Sequence, residues 1–302
     1  MDADIRVGVD LGGTKLEVIA LDRSGAVRAR RRWNAPKGDY EATLDAVALG
    51  VHWAEAEAGI RGSIGIGTPG ALSKVTGCLK NSNSTWLNGR PILQDLERKL
   101  GRPVRIANDA DCFALSEAID GAGAGAGIVF GVIVGTGTGA GIVVEGRLLA
   151  GPNGIAGEWG HNALPWPEDF ELPGPSCYCG KRGCIETYLS GPGMSLDHAR
   201  SCGERLEARE ICVRAGDGDA VCLETLGRYV ERMARSLAHV INILDPDVIV
   251  LGGGLSNIAM LYDAVPGRWG RHVFSDAVAT RLVPNVHGDA SGVRGAARLW
   301  NG

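Results

Sequence analysis

The sequence repeats one local pattern, a strand, a turn of glycine and threonine, and a second strand. The first copy covers residues 5–21 around a turn at 11–15, and the second covers residues 128–144 around a turn at 135–139. Two strands joined by such a turn predict a hairpin with a glycine tip. Such a duplication is expected if two related halves of the chain clamp one nucleotide between them.

Three glycine turns follow predicted strands and suit phosphate, because glycine lets backbone amides approach a ligand without a Cβ in the way. Asp10 ends the first strand and could hold Mg²⁺ through water, while Lys15 could meet phosphate charge. For any single turn, a plain tight turn is an equally good interpretation. Three turns in a repeated setting favour phosphate binding, and their residues are Gly12, Gly13, Thr14; Gly135, Thr136, Gly137, Thr138; and Gly252, Gly253, Gly254.

Two common nucleotide motifs are excluded. The chain has no G-x-x-x-x-G-K-[ST] segment, so it is not a P-loop enzyme. The sequence of residues 65–70 matches the motif G-x-G-x-x-G. However, Pro69 and the polar residues after it do not begin a helix with apolar residues at helical spacing. The strand–turn–helix context of a dinucleotide site is therefore missing.

Composition excludes other classes of function. The chain has 302 residues and a net charge of −4 without a basic stripe, which argues against nucleic acid as a partner. No apolar run approaches the ~20 residues of a membrane helix, and the first residues lack a signal-peptide core. We therefore expect a cytoplasmic protein. Eight cysteines in a chain of this length do not indicate a disulfide scaffold.

Three of those cysteines are clustered. Cys177, Cys179 and Cys184 follow the spacing C-x-C-x₄-C, with His161 upstream in a glycine-rich stretch. Three thiolates and one imidazole complete a tetrahedral Zn²⁺ site with no position left for water. This pattern favours structural zinc over a disulfide or buried thiols.

Asp109 is the candidate catalytic base. If a nucleotide bound at these turns passes a phosphoryl group to a hydroxyl, the reaction needs a carboxylate that can accept the hydroxyl proton. Asp109 follows a predicted strand, 104–107, and opens a predicted helix, 110–119. Asn108 or Asp109 could equally serve as a helix cap, and both roles can coexist.

The chain resembles the ROK family (repressors, open reading frames and kinases), and within it the bacterial fructokinases or mannofructokinases. The resemblance runs in order from residue 5 to about 300. ROK repressors carry an additional N-terminal helix-turn-helix domain, for which the first hairpin leaves no room, so we expect a kinase. The resemblance rests on Asp10–Lys15 and on residues 81–89, 107–110, 157–162, 177–186 and 244–254.

This resemblance implies an α/β fold of the actin-like ATPase (ribonuclease H-like) type, with a nucleotide and sugar cleft between two lobes. We expect a smaller lobe at 1–118 and a larger one at 119–302, and the C-terminal helix could pack back across the boundary. The resemblance makes Asp109 the base. It implies that the sugar contacts are Gly70, Asn83, Asn108, Glu158, His161 and Glu186.

The predicted reaction is transfer of a phosphoryl group from ATP, with Mg²⁺, to the 6-hydroxyl of a hexose. Residues 81–89 favour D-fructose by resemblance alone, with mannose, glucose or an N-acetylated hexosamine as alternatives. A sugar sensor without catalysis is the alternative from a different class. By resemblance we also expect a homodimer.

Overall fold

The computed structural model describes residues 5–300. Its contacts divide the chain into two compact units. The first unit comprises the chain up to residue 125, residues 141–156 and the chain from residue 286 on, and the second comprises residues 126–140 and 157–285. The sequence analysis predicted a single boundary between residues 118 and 119. In the structure, residues 141–156 and the chain from residue 286 on also belong to the first unit.

The first unit contains a five-stranded mixed sheet in the order β3-β2-β1-β4-β7. Strand β1 is antiparallel to β2 and parallel to β4, and β4 is parallel to β7. A small antiparallel pair, β5 and β6, follows β4. The strands are β1 (Ile5–Leu11), β2 (Lys15–Asp22), β3 (Val27–Asn34), β4 (Ser63–Thr68), β5 (Ala71–Leu72), β6 (Leu79–Lys80) and β7 (Val104–Asn108).

Apolar residues of β1, β2 and β4 form the core of this unit together with those of α1 (Tyr40–Ala58) and α2 (Ile92–Leu100). Helix α1 begins where the Asp39 side chain accepts a hydrogen bond from the Ala42 amide, and it ends at Gly59 with φ +74°. Its buried residues recur at helical spacing. Strand β3 gave no such signal, because most of its side chains are exposed and four are arginines.

Two more helices of this unit, α3 (Asp109–Asp120) and α10 (Ser291–Arg298), pack closely against each other and the sheet. Glycine makes this approach possible, because a Cβ on Gly8 or Gly65 would lie about 2 Å from a carbonyl oxygen of α10. A Cβ on Gly295 would lie 1.6 Å from the Cys112 carbonyl oxygen of α3. The C-terminal helix is therefore an integral part of the first unit.

A second five-stranded sheet has the order β10-β9-β8-β11-β12. Strand β11 is parallel to both β8 and β12, while β9 and β10 pair antiparallel. Within the second unit, Gly252 at the end of β11 pairs with Ile133 near the end of β8. The strands are β8 (Ile128–Val134), β9 (Thr138–Val144), β10 (Arg147–Leu148), β11 (Val248–Gly252) and β12 (Arg281–Pro284).

The long helix α7 (Ala220–Leu244) organises the second unit. It begins where Asp219 accepts hydrogen bonds from the Val221 and Cys222 amides. Its Arg232 and Arg235 form ion pairs of 2.7 and 2.8 Å with the buried Glu171, which fixes the irregular segment before the cysteines. The other helices of this unit are α4 (Glu186–Leu189), α5 (Gly191–Cys202), α6 (Ala208–Gly216), α8 (Leu261–Ala264) and α9 (Pro266–Trp269).

None of the helices within residues 5–300 combines the length and apolar character needed to cross a membrane. Together, the two sheets and their helices make the α/β fold that the sequence analysis predicted.

Candidate active site

The first glycine turn joins β1 to β2 in the first unit. The Gly12 amide donates a hydrogen bond of 2.9 Å to the Lys15 carbonyl, which closes the turn. A Cβ on Gly13 would lie 3.3 Å from Ser84 Oγ, a buried hydroxyl without a hydrogen-bond partner in the described part of the chain. The turn thus keeps together the residues predicted to contact phosphate, Gly12, Gly13, Thr14 and Lys15. The sequence analysis did not identify Ser84.

Asp10 lies at the start of a row of charged side chains across three strands. It pairs with Glu17 on β2, and Glu17 pairs with Arg32 on β3. The buried Glu17 accepts hydrogen bonds from Arg30 Nε at 2.5 Å and Arg32 Nε at 2.8 Å. Burial and the negative charges of Asp109 and Glu17 raise the pKa of Asp10 to about 7, and Arg32 partly offsets them.

Burial contributes most to the raised pKa of Asp10, and the negative charges of Asp109 and Glu17 add to it. A nearby cation would favour the ionised carboxylate and relieve its repulsion with Asp109. Hard divalent cations such as Mg²⁺ take carboxylate oxygens as ligands. The donor set therefore fits the magnesium ion that the sequence analysis placed at Asp10.

Asn108 and Asp109 lie where β7 ends and α3 begins. The Ala110 amide donates to Asn108 Oδ1 at 2.8 Å and to Asp109 Oδ1 at 2.9 Å, so both side chains cap the helix. The helix N-terminus stabilises the ionised form of a carboxyl group placed there. Capping therefore orients the Asp109 carboxylate at the start of α3.

Asn108 also fixes Gly70 near the start of α3, because its Nδ2 donates a hydrogen bond of 3.0 Å to the Gly70 carbonyl. Its φ of +83° and the Lys80 carbonyl, 2.4 Å from any Cβ there, both require glycine at position 70. Because β1, β4 and β7 run parallel, their carboxyl ends bring Asp10, Gly70 and Asn108 to one edge of the sheet. Ligands of open α/β sheets bind at this edge.

Asn83 lies in a loop between β6 and α2 with its side chain exposed. Asn88 supports this loop by exchanging two hydrogen bonds of 2.9 Å with the backbone of Ser82. The neighbours Ser82 and Ser84 are buried, so the loop presents Asn83 outwards. The first unit thus holds Asp10, the first turn, Gly70, Asn83, Asn108 and Asp109.

The second and third glycine turns lie side by side in the second unit, at the carboxyl ends of β8 and β11. Gly253 has φ +82°, and a Cβ there would lie 2.4 Å from the Val134 carbonyl oxygen. A Cβ on Gly135 would lie 3.9 Å from the Gly254 amide nitrogen. The two predicted phosphate turns, Gly135–Thr138 and Gly252–Gly254, are therefore neighbours.

Glu186 begins α4 and reaches the second turn. Its Oε2 accepts a hydrogen bond of 2.9 Å from the Thr138 amide. The sequence analysis assigned Glu186 to the sugar and did not anticipate this bond between residues 48 positions apart in the chain.

The four predicted zinc ligands come together in the second unit. Single ligand atoms of His161, Cys177, Cys179 and Cys184 all lie within 4.8 Å of one another. Cys177 Sγ is 3.6 Å from His161 Nδ1, and Cys179 Sγ is 3.6 Å from Cys184 Sγ. Ligands of a tetrahedral Zn²⁺ at ordinary bond lengths are separated by about 3.6 to 3.8 Å. These two distances and the donor set fit zinc.

His161 contacts the exposed Tyr178 through its other ring nitrogen. His161 Nε2 lies 3.0 Å from the Tyr178 hydroxyl. Desolvation, followed by the charges of Glu186, Cys177 and Glu158, raises the pKa of Tyr178 to about 12, so this hydroxyl keeps its proton at neutral pH. The sequence analysis did not identify Tyr178, although its place between two predicted zinc ligands is a usable signal. Glu158 is exposed one residue before the short 3₁₀ helix Trp159–His161.

Comparisons with known proteins show which proteins this chain is similar to. The chain is 40% identical over 296 residues to N-acetyl-D-glucosamine kinase from Vibrio cholerae, with 97% of this chain and 98% of the relative covered. A ROK hexokinase from Thermus thermophilus superposes with a TM-score of 0.85 at 32% identity, covering 97% of this chain and 96% of that one. A ROK family glucokinase from Streptomyces griseus, in complex with glucose and AMPPNP, gives a TM-score of 0.77 at 26% identity with 98% of both chains covered.

The family model described as "ROK family" matches residues 6–302. Its kinase members have the actin-like fold predicted above. The chain therefore belongs to the ROK family, and within it to the ATP-dependent sugar kinases.

Proposed function

We propose that this kinase transfers the γ-phosphoryl group of ATP to the 6-hydroxyl of N-acetyl-D-glucosamine. The observation that carries the proposal is the 40% identity to the Vibrio cholerae N-acetyl-D-glucosamine kinase over 97% of the chain. The sequence-based preference for D-fructose rested on the resemblance of residues 81–89 alone. The relative supports instead the N-acetylated hexosamine that the sequence analysis kept as an alternative.

Asp109 is the proposed general base. Its carboxylate accepts the proton of the sugar hydroxyl while that oxygen attacks the γ-phosphorus, and the bond from the γ-phosphorus to the β-γ bridging oxygen breaks to release ADP. The hydrogen bond from the Ala110 amide to Oδ1 supports this role, because it orients the carboxylate at the start of α3. Asn108, which is fixed to the Gly70 carbonyl, and the exposed Asn83 are the proposed sugar contacts in the first unit.

The glycine turns are the proposed phosphate contacts. In the first unit they are residues 12–14 with Lys15, and in the second unit they are residues 135–138 and 252–254. Asp10 would hold Mg²⁺, which when bound neutralises charge on the phosphates. The charges of Asp109 and Glu17, which add to burial in raising the pKa of Asp10, support this assignment.

Glu158 and Glu186 are the proposed sugar contacts of the second unit, and His161 joins them if its Nε2 exchanges the Tyr178 hydroxyl for a sugar hydroxyl. Carboxylates accept hydrogen bonds from sugar hydroxyls, and Oε1 of Glu186 makes no hydrogen bond within residues 5–300. His161, Cys177, Cys179 and Cys184 would hold a structural Zn²⁺, which when bound crosslinks this irregular segment. The 3.6 Å separations between paired ligand atoms support the zinc assignment.

The proposal is tested by measuring ADP release with ATP and Mg²⁺ against N-acetylglucosamine, glucose, mannose and fructose. We expect kcat/KM for N-acetylglucosamine to exceed that for each other sugar by at least about tenfold, because a pocket built for the N-acetyl group leaves polar groups unpaired with the others. Highest turnover with fructose would overturn the substrate assignment but keep the kinase. No ADP release with any of the four would contradict both.

A further inference from the structure

One hydrogen bond links the cysteine segment to the second glycine turn. The Thr138 amide donates to Glu186 Oε2 at 2.9 Å, and Thr138 is the residue at which the turn enters β9. A hydrogen bond from an amide to an ionised carboxylate is stronger than one between neutral groups. The carboxylate therefore fixes one end of this turn.

The backbone of the turn also packs tightly on the same carboxylate. A Cβ on Gly137 would lie 2.8 Å from Glu186 Oε2, closer than a real Cβ contact allows. The other end of the turn is held nearby, because the Gly191 amide at the start of α5 donates to the Gly135 carbonyl at 2.7 Å. Residues 186 to 191 therefore form hydrogen bonds with both ends of the turn.

Glu186 is itself held firmly by the cysteine segment. Cys184 lies two residues earlier, and its carbonyl accepts hydrogen bonds from the Thr187 amide at 2.9 Å and the Thr187 hydroxyl at 2.7 Å. The buried Ile185 between them donates its amide to the Asn162 carbonyl at 2.9 Å, next to His161. Hydrogen bonds on both sides of Glu186 therefore fix the backbone that carries it.

We infer that Glu186 is a positioning residue for the nucleotide: by holding Thr138, it shapes the turn Gly135–Thr138 for phosphate before any sugar is bound. The inference rests on the proposed role of this turn in binding ATP. It adds to the proposed sugar contact of Glu186, since Oε2 serves the turn and Oε1 is left for a hydroxyl. One carboxylate would then contact the sugar and also position the turn that binds the nucleotide.

The test is ADP binding to the full-length, metal-replete protein without sugar, measured by calorimetry for Glu186→Ala and Glu186→Gln. Loss of the acceptor in Glu186→Ala leaves the Thr138 amide unpaired, so we expect the Kd for ADP to rise by about tenfold. Glutamine keeps an acceptor oxygen, so Glu186→Gln should restore binding to within about threefold of the native protein.

The matched control is Glu158→Ala, which removes a carboxylate proposed to contact only the sugar. It should raise the KM for the sugar and leave the sugar-free Kd for ADP within about twofold, because Glu158 makes no hydrogen bond to the turn within residues 5–300. If Glu186→Ala behaves like this control, the inference is wrong and Glu186 serves the sugar alone. Activity of the native protein on N-acetylglucosamine tests the proposed function separately, since the ADP measurement needs no sugar.

Gly137→Ala gives a second route that leaves residue 186 unchanged. Its added methyl group would displace the Glu186 carboxylate, so it should weaken ADP binding to a similar extent. The double variant Gly137→Ala/Glu186→Ala should bind ADP no more weakly than Glu186→Ala, because both changes break the same contact. Fully additive losses would overturn the inference, even if Glu186→Ala alone lowered the metal content.

Discussion

Asp10→Asn should make the protein more stable and less active at once. The pKa of Asp10 lies near 7 instead of 3.8, a shift of about 3 units, because the folded chain buries this carboxyl beside Asp109 and Glu17. Each unit corresponds to about 1.36 kcal/mol, so ionised Asp10 costs the folded state at most ~4 kcal/mol well above pH 7. Asparagine has nearly the same shape and carries no charge.

The direction of the pH dependence follows from whether the folded or the unfolded chain holds the Asp10 proton. The unfolded chain loses the Asp10 proton near pH 3.8, whereas the folded chain keeps it until about pH 7. Between these values the folded state binds more protons, so its free energy of unfolding decreases as the pH rises through this window and then levels off. Asp10→Asn should therefore gain ~4 kcal/mol over the native protein at pH 8 and only ~2 kcal/mol at pH 5.

Thermal unfolding followed by circular dichroism, in buffer without magnesium or nucleotide, measures this difference. We expect the Tm of Asp10→Asn to exceed that of the native protein by about 8 °C at pH 8 and by about half as much at pH 5. The same substitution at the exposed Asp276 should change the Tm little at either pH. An equal gain at both pH values, or no gain, would refute the electrostatic reasoning. In kinase assays Asp10→Asn should lose most activity, because the proposed Mg²⁺ ligand is gone.

Three further predictions concern the base, the cysteine cluster and the third glycine turn. Asp109→Asn should lower kcat by about 10²- to 10⁴-fold, because no group accepts the hydroxyl proton, while calorimetry should give an unchanged Kd for ADP. Cys184→Ser should reduce bound zinc, measured by elemental analysis, from one ion per chain to well below half, whereas the exposed Cys202 should be replaceable without loss. Gly253→Ala should lower the free energy of unfolding by about 2 kcal/mol or more, because Gly253 has φ +82° and a Cβ there would lie 2.4 Å from a carbonyl oxygen. Gly254→Ala should leave the free energy of unfolding nearly unchanged, because no atom lies within 4 Å of a Cβ at that position.

Each of these predictions has an outcome that would contradict it. Near-native kcat in Asp109→Asn would remove that residue from the chemistry. Full zinc content after Cys184→Ser, or no zinc in the native protein, would mean that the cluster does not hold this metal. Equal stability of the Gly253→Ala and Gly254→Ala variants would show that the close approach at β8 does not constrain the turn.

Local sequence patterns were sufficient to predict the two hairpins and the helix after Asn108. Glycine flanked by apolar strands, as at residues 11–15, and apolar residues at helical spacing, as in Tyr40–Ala58, are signals contained within one segment. The cysteine cluster could also be predicted, because three of its four residues lie within a stretch of eight.

Features that depend on pairing between distant segments could not be read from the sequence. The charge on Asp10 depends on strand register, which places Glu17 and then Arg32 beside it, and β3 itself has no apolar alternation to reveal it. The bond between Glu186 and Thr138 joins two turns that no local pattern connects. The choice among sugars also depends on distant segments, because residues 81–89 are only one short part of a sugar site.

The close packing of α10 against glycines of β1 and β4 has a consequence for biosynthesis. The first unit needs Ser291–Arg298 to cover its sheet, although its other segments all lie within the first 156 residues. While the ribosome makes the intervening second unit, the face of β1 and β4 around Gly8 and Gly65 lacks its covering helix. We therefore expect the N-terminal part of the nascent chain to remain sensitive to protease, and to depend on chaperones, until its last segment has emerged.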